Sequence, residues 1–293
     1  MQAKPFLQWA GGKRQLISDI DKKIFKCTFT KYAEPFVGGG AVLFHVLNNY
    51  PVKEVWISDT NETLISTYKI IRDNPALLIT KLEEIQNDFL SVKNEERKAF
   101  YLQIREMFNV KQLSDIDKAA LFIFLNHTCF NGLYRVNKKG YFNVPMGTYK
   151  NPIIYNAENI LGVSKLLKNA EIQCCDYSKS EDFITKDTLV YLDPPYRPLS
   201  TTSSFTSYGQ NGFSDENQKE LAQFVRKIDS IGANFILSNS NPKNSNPEDT
   251  FFEDLYKGFE IEEVFAKRSI NCVASKRNKI SELLISNIGG DKT

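Results

Sequence analysis

The residues best suited to chemistry are Asp193, Pro194, Pro195 and Tyr196, which close the run Thr188 to Tyr196, TLVYLDPPY. An acid, two prolines and an aromatic ring in that order suit transfer of an electrophilic group to a planar amine. The lone pair of such an amine is delocalised into its ring or carbonyl, so the amine is a weak nucleophile. A carboxylate at Asp193 accepting one N–H, and the Pro194 carbonyl accepting the other, would draw that lone pair out of the plane while Tyr196 stacks on the ring. A plainer reading is that the prolines end a strand and Asp193 caps the next helix. Four residues alone do not separate the two.

Elements of fixed geometry must present such a group. Leu189, Val190, Tyr191 and Leu192 read as a buried strand that the prolines cannot continue, which puts Asp193 at a strand's carboxyl end. Open α/β sheets bind their ligands there. Upstream, Pro5 to Gln15 (PFLQWAGGKRQ) combines aromatic residues, a glycine pair and two cations, and Leu16, Ile17, Ile20 and Ile24 then recur at helical spacing. Lys13 can meet a carboxylate or a phosphate at the start of that helix, or simply decorate a capped surface helix. Tyr32 to Gly40 (YAEPFVGGG) followed by the apolar Ala41 to Leu47 reads as strand, glycine turn, helix. Its spacing matches neither phosphate-binding glycine pattern, so the turn fits backbone approach to a non-phosphate ligand. His45 reads as a packed residue of that helix. Val55 to Asp59 is a second strand ending in an acid, the place from which a carboxylate accepts bonds from a ribose diol.

Residues 64 to 108 have helical periodicity, broken at Asp73-Asn74-Pro75, and Lys93 to Lys98 reads as a solvated helix face. Ala119 to Phe130 reads as a buried helix. A β-hairpin is expected over residues 131–147, with its turn at Asn137 to Gly140 and positive charge from Arg135, Lys138 and Lys139. Basic residues interleaved with aromatic residues and asparagines suit a duplex groove, although an ordinary hairpin with surface lysines has the same composition. Ala170 to Tyr177 reads as a strand in which Cys174 and Cys175 are small buried residues and Asp176 is a candidate contact to an adenine ring. Leu199 to Phe213 is rich in Ser, Thr and Gly and reads as a loop over the site, with Phe205 and Tyr208 as ring contacts. A helix over residues 216–228, a strand over 233–237, the run Phe259 to Phe265, basic Lys267-Arg268 and Lys276 to Lys279, and a last strand over 280–285 complete the chain.

A chain of 293 residues with 42% hydrophobic content can bury a real core. A net charge of +2 leaves any nucleic-acid surface to local clustering. The five cysteines and two histidines show no metal-ligand spacing, so no metal is expected. With no apolar run of spanning length and no signal peptide, a cytoplasmic location without membrane attachment is expected.

Trp9-Ala10-Gly11-Gly12-Lys13, Glu34 to Gly40, Asp59, the segment Asn131 to Arg135 with Phe142-Asn143-Val144-Pro145, and Asp193 to Tyr196 occur in one order over almost the whole chain. That order resembles the Dam-like DNA adenine N6-methyltransferases, and Phe205-Thr206-Ser207-Tyr208 looks like the adenine methylases that accompany GATC-cutting restriction enzymes. The resemblance implies an α/β fold, a doubly wound mixed sheet of the S-adenosylmethionine-dependent type. Residues 1–68 and 165–293 would form the catalytic domain, and 69–164 an inserted helical and hairpin target-recognition domain. It implies S-adenosylmethionine as methyl donor, with Trp9, Lys13, Asp59, Asp176 and Asp193 holding it and Phe36, Gly38 and Gly40 in the turn lining its pocket. Asp193, Pro194 and Tyr196 match the family's target-adenine clamp. Phe130, Asn131, Leu133, Arg135 and Pro145 fall on positions that wedge into or read GATC, Lys138 and Lys139 adding charge. His127 and Thr148 stand where some members have arginines. Expected partners are double-stranded DNA near the nucleoid and, functionally, a restriction endonuclease, the chain itself being a monomer or weak dimer. The alternatives are another GAT-containing site, an RNA base or protein amide as acceptor, or a non-catalytic DNA-binding module.

Overall fold

The structure, a computed structural model, describes residues 2–9, 11–110, 112–197, 213–266 and 280–289. The readings made above for Leu199 to Gly212, including Phe205 and Tyr208, and for the basic residues of 267–279 lie outside the described residues. The strands are β1 (Lys31–Glu34), β2 (Glu54–Asp59), β3 (Glu171–Cys174), β4 (Thr188–Leu192), β5 (Asn234–Ser240), β6 (Glu260–Ala266) and β7 (Ile280–Ser286). The helices are α1 (Ile17–Ile24), α2 (Ala41–Asn49), α3 (Glu62–Asp73), α4 (Pro75–Ser91), α5 (Arg97–Asn109), α6 (Asp115–Thr128), α7 (Ala157–Leu167), α8 (Asp215–Ile231) and α9 (Phe251–Leu255). The sheet runs β3-β2-β1-β4-β5-β7-β6. Strands β2, β1, β4 and β5 pair in parallel, while β7 is antiparallel to both β5 and β6. This is the mixed α/β sheet that the resemblance implies.

The chain divides into two compact units, Lys13–Phe36 with Pro51–Ile57 and Asp176–Thr293, and Met1–Gly12 with Val37–Tyr50 and Ser58–Cys175. In the former, strand register sorts side chains onto two unlike faces. Ala33 pairs with Val190, Leu192 with Leu237, and Leu237 with Ile285. With Phe235 and Leu283 these residues form one apolar face, covered by Leu221, Phe224, Val225 and Ile228 of α8. Side chains alternate along a strand, so the neighbouring residues Tyr32, Glu34, Tyr191, Ser238, Ser240 and Glu282 fall on the other face. There α1 buries Ile20 and Ile24, and its Lys23 ammonium lies 3.2 Å from Glu260 and 3.1 Å from Glu262 of β6. Helix α8 starts in a capping box of Ser214 and Asn217 and stops at Gly232, whose φ of 86° only glycine adopts without strain.

In the other unit, α3 begins at an Asn61 cap, and the expected break after Asp73 is where Pro75 opens α4. Helix α6 is buried on nearly all sides, with Phe124 against Phe89 and Phe122 against Phe108. Two readings need correction here. Arg97 is not on a solvated helix face: it is buried, lies 5.1 Å over the Phe89 ring and donates to the Lys150 carbonyl. Cys174 and Cys175 are not buried, the first being exposed and the second half-buried, because β3 sits at the sheet's edge.

Residues 131–147 do not form a continuous ladder. Two antiparallel bridges, Cys129 with Met146 and Val136 with Phe142, flank a turn in which Asn137 accepts the Gly140 N–H. The missing rungs are taken by helix side chains. Asn109 of α5 bonds both the N–H and the carbonyl of Phe142, and Tyr101 donates to the Val144 carbonyl at 2.9 Å. Those groups are satisfied without a facing strand.

Candidate active site

Strand β4 ends where Pro194 and Pro195 withdraw two N–H donors, and the next residue on its polar face is Asp193. Lys13 opens a 3-10 turn ahead of α1 and reaches Asp193 Oδ1 with its ammonium at 2.8 Å, its side chain only 5% exposed. The Ser238 hydroxyl of β5 donates to the same oxygen at 3.0 Å. A serine hydroxyl carries one hydrogen, so the Tyr191 phenol, 3.0 Å from Ser238 Oγ, is the donor of that second bond. Both of these bonds fall on Asp193 Oδ1.

Tyr196 is fixed from the opposite end. Its phenol donates to Glu282 of β7, and the Lys13 ammonium sits 4.7 Å from its ring centroid and 4.0 Å from Glu282. Burial pushes the Tyr196 phenol well above its ordinary value, and the charges of Asp193 and Glu282 push it further, so it remains a donor. The Pro195 carbonyl accepts from Gln218, which is itself held by Asn239. Arg197 forks onto Asp215 at 2.7 and 2.9 Å, reaches Asp249 at 2.8 Å and stacks over Phe251. The four-residue motif is thus clamped at both ends, and Asp193 is a strand-end acid paired with a buried cation rather than a helix cap.

In the other unit, the turn after Phe36 brings backbone rather than side chains to its surface. Gly38 and Gly40 have φ of 46° and 70°, and a Cβ on Gly40 would stand 2.6 Å from the Tyr68 hydroxyl. Asp59, at the end of β2, accepts the Gly38 N–H at 3.1 Å and the Asn61 N–H at 2.9 Å. Burial pushes the Asp59 carboxyl up, and the backbone donors of Asn61, Gly38 and Thr60 pull the other way. Trp9 packs its indole against Gly38 and Gly39 and stacks on Tyr134 at 5.8 Å. A carboxylate carrying spare lone pairs beside a glycine turn that brings no side chain of its own fits the ribose and methionine parts of S-adenosylmethionine. Of the remaining expected contacts, Phe36 stacks on Tyr177 at 5.4 Å, and Asp176 caps the turn that follows β3 by accepting the Ser178 N–H at 3.0 Å.

The expected DNA-reading residues are open to solvent to different degrees. Phe130, Asn131, Arg135, Lys138, Lys139 and Pro145 are exposed, and Leu133 is half-buried. Asn131 takes φ 55°, and Phe130 N–H donates to the Pro145 carbonyl at 2.9 Å. Arg135 donates to the Asn143 side chain at 2.8 Å and to its carbonyl at 3.3 Å. His127 bonds the Phe6 carbonyl at 2.9 Å, whereas Thr148 is exposed.

Sequence reasoning missed Tyr191, Ser238 and Glu282. Their signal was the polar half of alternating strands, with Ser238 and Ser240 framing the end of β5 and an acid among the apolar residues of β7.

A mixed seven-stranded sheet with a paired acid at the carboxyl end of a central strand fits the fold of an S-adenosylmethionine-dependent methyltransferase. Residues 9–270 match the family described as D12 class N6 adenine-specific DNA methyltransferase. A type II methyltransferase of Methanocaldococcus jannaschii, M.MjaIII, is 50% identical over 98% of this chain and 100% of its own length. M1.LlaDCHI of Lactococcus lactis, also a type II methyltransferase, is 39% identical over 98% of this chain and 96% of its own. A DNA adenine methylase of Vibrio cholerae is 36% identical over 96% and 95%. The chain belongs to the D12 class of adenine-specific DNA methyltransferases, enzymes that take their methyl group from S-adenosylmethionine. No described helix is long and apolar enough to cross a membrane.

Proposed function

We propose that the chain methylates the N6 amine of an adenine extruded from duplex DNA, within the sequence GATC. The observation that carries this reading is the Asp193 carboxylate, held through Oδ1 by Lys13 and Ser238. Oδ2 then accepts one N–H of the target amine and the Pro194 carbonyl the other, which turns the nitrogen lone pair out of the ring plane. An adenine amine inside a stacked duplex cannot reach these atoms, so the base must leave the stack at a cost of a few kcal/mol. Stacking on the Tyr196 ring returns about 1–3 kcal/mol, and the two amine bonds offset the rest.

Bound S-adenosylmethionine supplies an electrophilic methyl group. Asp59 would hold its ribose diol and the backbone from Phe36 to Gly40 would line its body, with Trp9, Lys13 and Asp176 as further contacts. The chain's contribution to the transfer is placement and electrostatics, since Lys13 holds the Asp193 carboxylate in place at 2.8 Å. Residues 69–164 would act as the target-recognition domain and residues 1–68 with 165–293 as the catalytic domain. In the recognition part, Arg135 is the guanine reader, a role suited to a fork already steadied by Asn143. Phe130, Asn131, Leu133 and Pro145 contact or wedge the bases, and Lys138 and Lys139 meet phosphates. The names of the M. jannaschii and L. lactis relatives, type II methyltransferases, support functional pairing with a restriction endonuclease.

The test is methyl transfer to duplexes carrying GATC and each of its single-base variants. GATC should be preferred by at least a hundredfold, and Arg135→Ala should relax the preference at guanine by about 1–3 kcal/mol. Equal methylation of GATC and a variant with guanine replaced would refute the site assignment.

A further inference from the structure

Glu282 lies in the middle of the β5–β7–β6 ladder, paired with Ser240 on one side and Val264 on the other. Leu283, Leu284 and Ile285 beyond it are buried apolar residues. A carboxylate among such neighbours is costly unless it is bonded, and this one has two partners. It accepts the Tyr196 phenol and lies 4.0 Å from the Lys13 ammonium. Tyr196 follows two prolines and sits outside any strand, so no ladder sets its ring plane. Among the described residues the ring is held by Glu282 at the hydroxyl and by Lys13, 4.7 Å over its face.

We infer that Glu282 is a positioning residue for methyl transfer: through the phenol it fixes the plane of the Tyr196 ring on which the target base is to stack. The inference rests on the proposed role of Tyr196. Glu282 touches neither the amine nor the methyl donor and acts only through Tyr196 and Lys13. Its removal frees the ring to turn about its side-chain torsions, so the base is captured but poorly aligned. The loss then falls on kcat rather than on the KM for either substrate.

The experiment is a cycle of Glu282→Ala, Tyr196→Phe and the double variant, with kcat, KM and the fluorescence of a duplex carrying 2-aminopurine at the target position. Each single variant should lower kcat about three- to tenfold with KM changed less than twofold. The double variant should be no worse than the poorer single, since both remove one bond. The 2-aminopurine signal should still rise on binding and be brighter than with the parent, because stacking on the ring is loosened. Glu282→Gln, which keeps an acceptor for the phenol, should recover most of the loss. If Glu282→Ala does not fold, Glu282→Met fills the same space without an acceptor and takes its place in the cycle. Multiplying penalties in the double variant, or a parental kcat in Tyr196→Phe, would overturn the inference. A fully active Tyr196→Ala would instead remove the reading beneath it, because then the ring itself has no role.

Discussion

Replacing Lys13 by methionine keeps the stem's volume and deletes the charge that holds Asp193. At 2.8 Å, two unit charges attract by roughly 1.5 kcal/mol in bulk water and roughly 6 kcal/mol at an effective dielectric near 20. Breaking a buried pair by removing one partner costs about 3–5 kcal/mol. The Asp193 side chain is 22% exposed and keeps its Ser238 bond, which places Lys13→Met at the lower end, near 3 kcal/mol of stability. Asp193→Asn should cost less, because Glu282 remains 4.0 Å from the ammonium. The coupling between the two changes should be about 2 kcal/mol, with the double variant correspondingly less destabilised than the two singles added. Denaturant unfolding followed by both far-ultraviolet circular dichroism and tryptophan fluorescence measures it, coincident transitions licensing the subtraction. Additivity within about 0.5 kcal/mol would show that the ion pair does not couple these residues, and the electrostatic account of Asp193 would fail.

Two further outcomes are expected. His127 is buried against the Phe6 carbonyl, and burial holds its pKa below the ordinary 6.5. The unfolded chain therefore binds a proton that the folded chain refuses. Stability from this group is present above pH 6.5 and lost as pH falls through the lowered pKa. The denaturation midpoint of the parent should fall more between pH 7 and 5 than that of His127→Gln, and parallel profiles would contradict the assignment. At Gly40, alanine must adopt φ 70°, at roughly 1–2 kcal/mol, and must displace the Tyr68 hydroxyl from the Gly38 carbonyl, at about 1 kcal/mol. Gly40→Ala should thus lose about 2–3 kcal/mol of stability and bind S-adenosylmethionine more weakly, whereas parental values in calorimetry would show that the turn tolerates a side chain.

What could be read from the sequence was what local chemistry dictates. The apolar run before Asp193, the prolines after it, the glycine turn after Phe36 and the acid closing β2 each announce their own geometry within a few residues. The break at Asp73-Asn74-Pro75 is of the same kind. Ser238 and Glu282 were not legible, because they join the site only through the register of β4 with β5 and of β5 with the antiparallel β7. Arg97 was misplaced because a basic run looks solvated until a carbonyl and an aromatic ring at distant positions claim one member. The segment over 131–147 shows the same limit. Its turn at Asn137 is local, but the side chains of Tyr101 and Asn109 that take its backbone bonds belong to a helix some thirty to forty residues earlier.

The central claim is that methyl transfer to adenine depends on the Asp193 carboxylate at the end of β4, and labelled methyl transfer to duplex DNA by Asp193→Ala measures it most directly. The account expects a loss of at least about a hundredfold in kcat, with circular dichroism unchanged and the duplex still bound. Methylation of the duplex at the parental rate by the folded variant would contradict it.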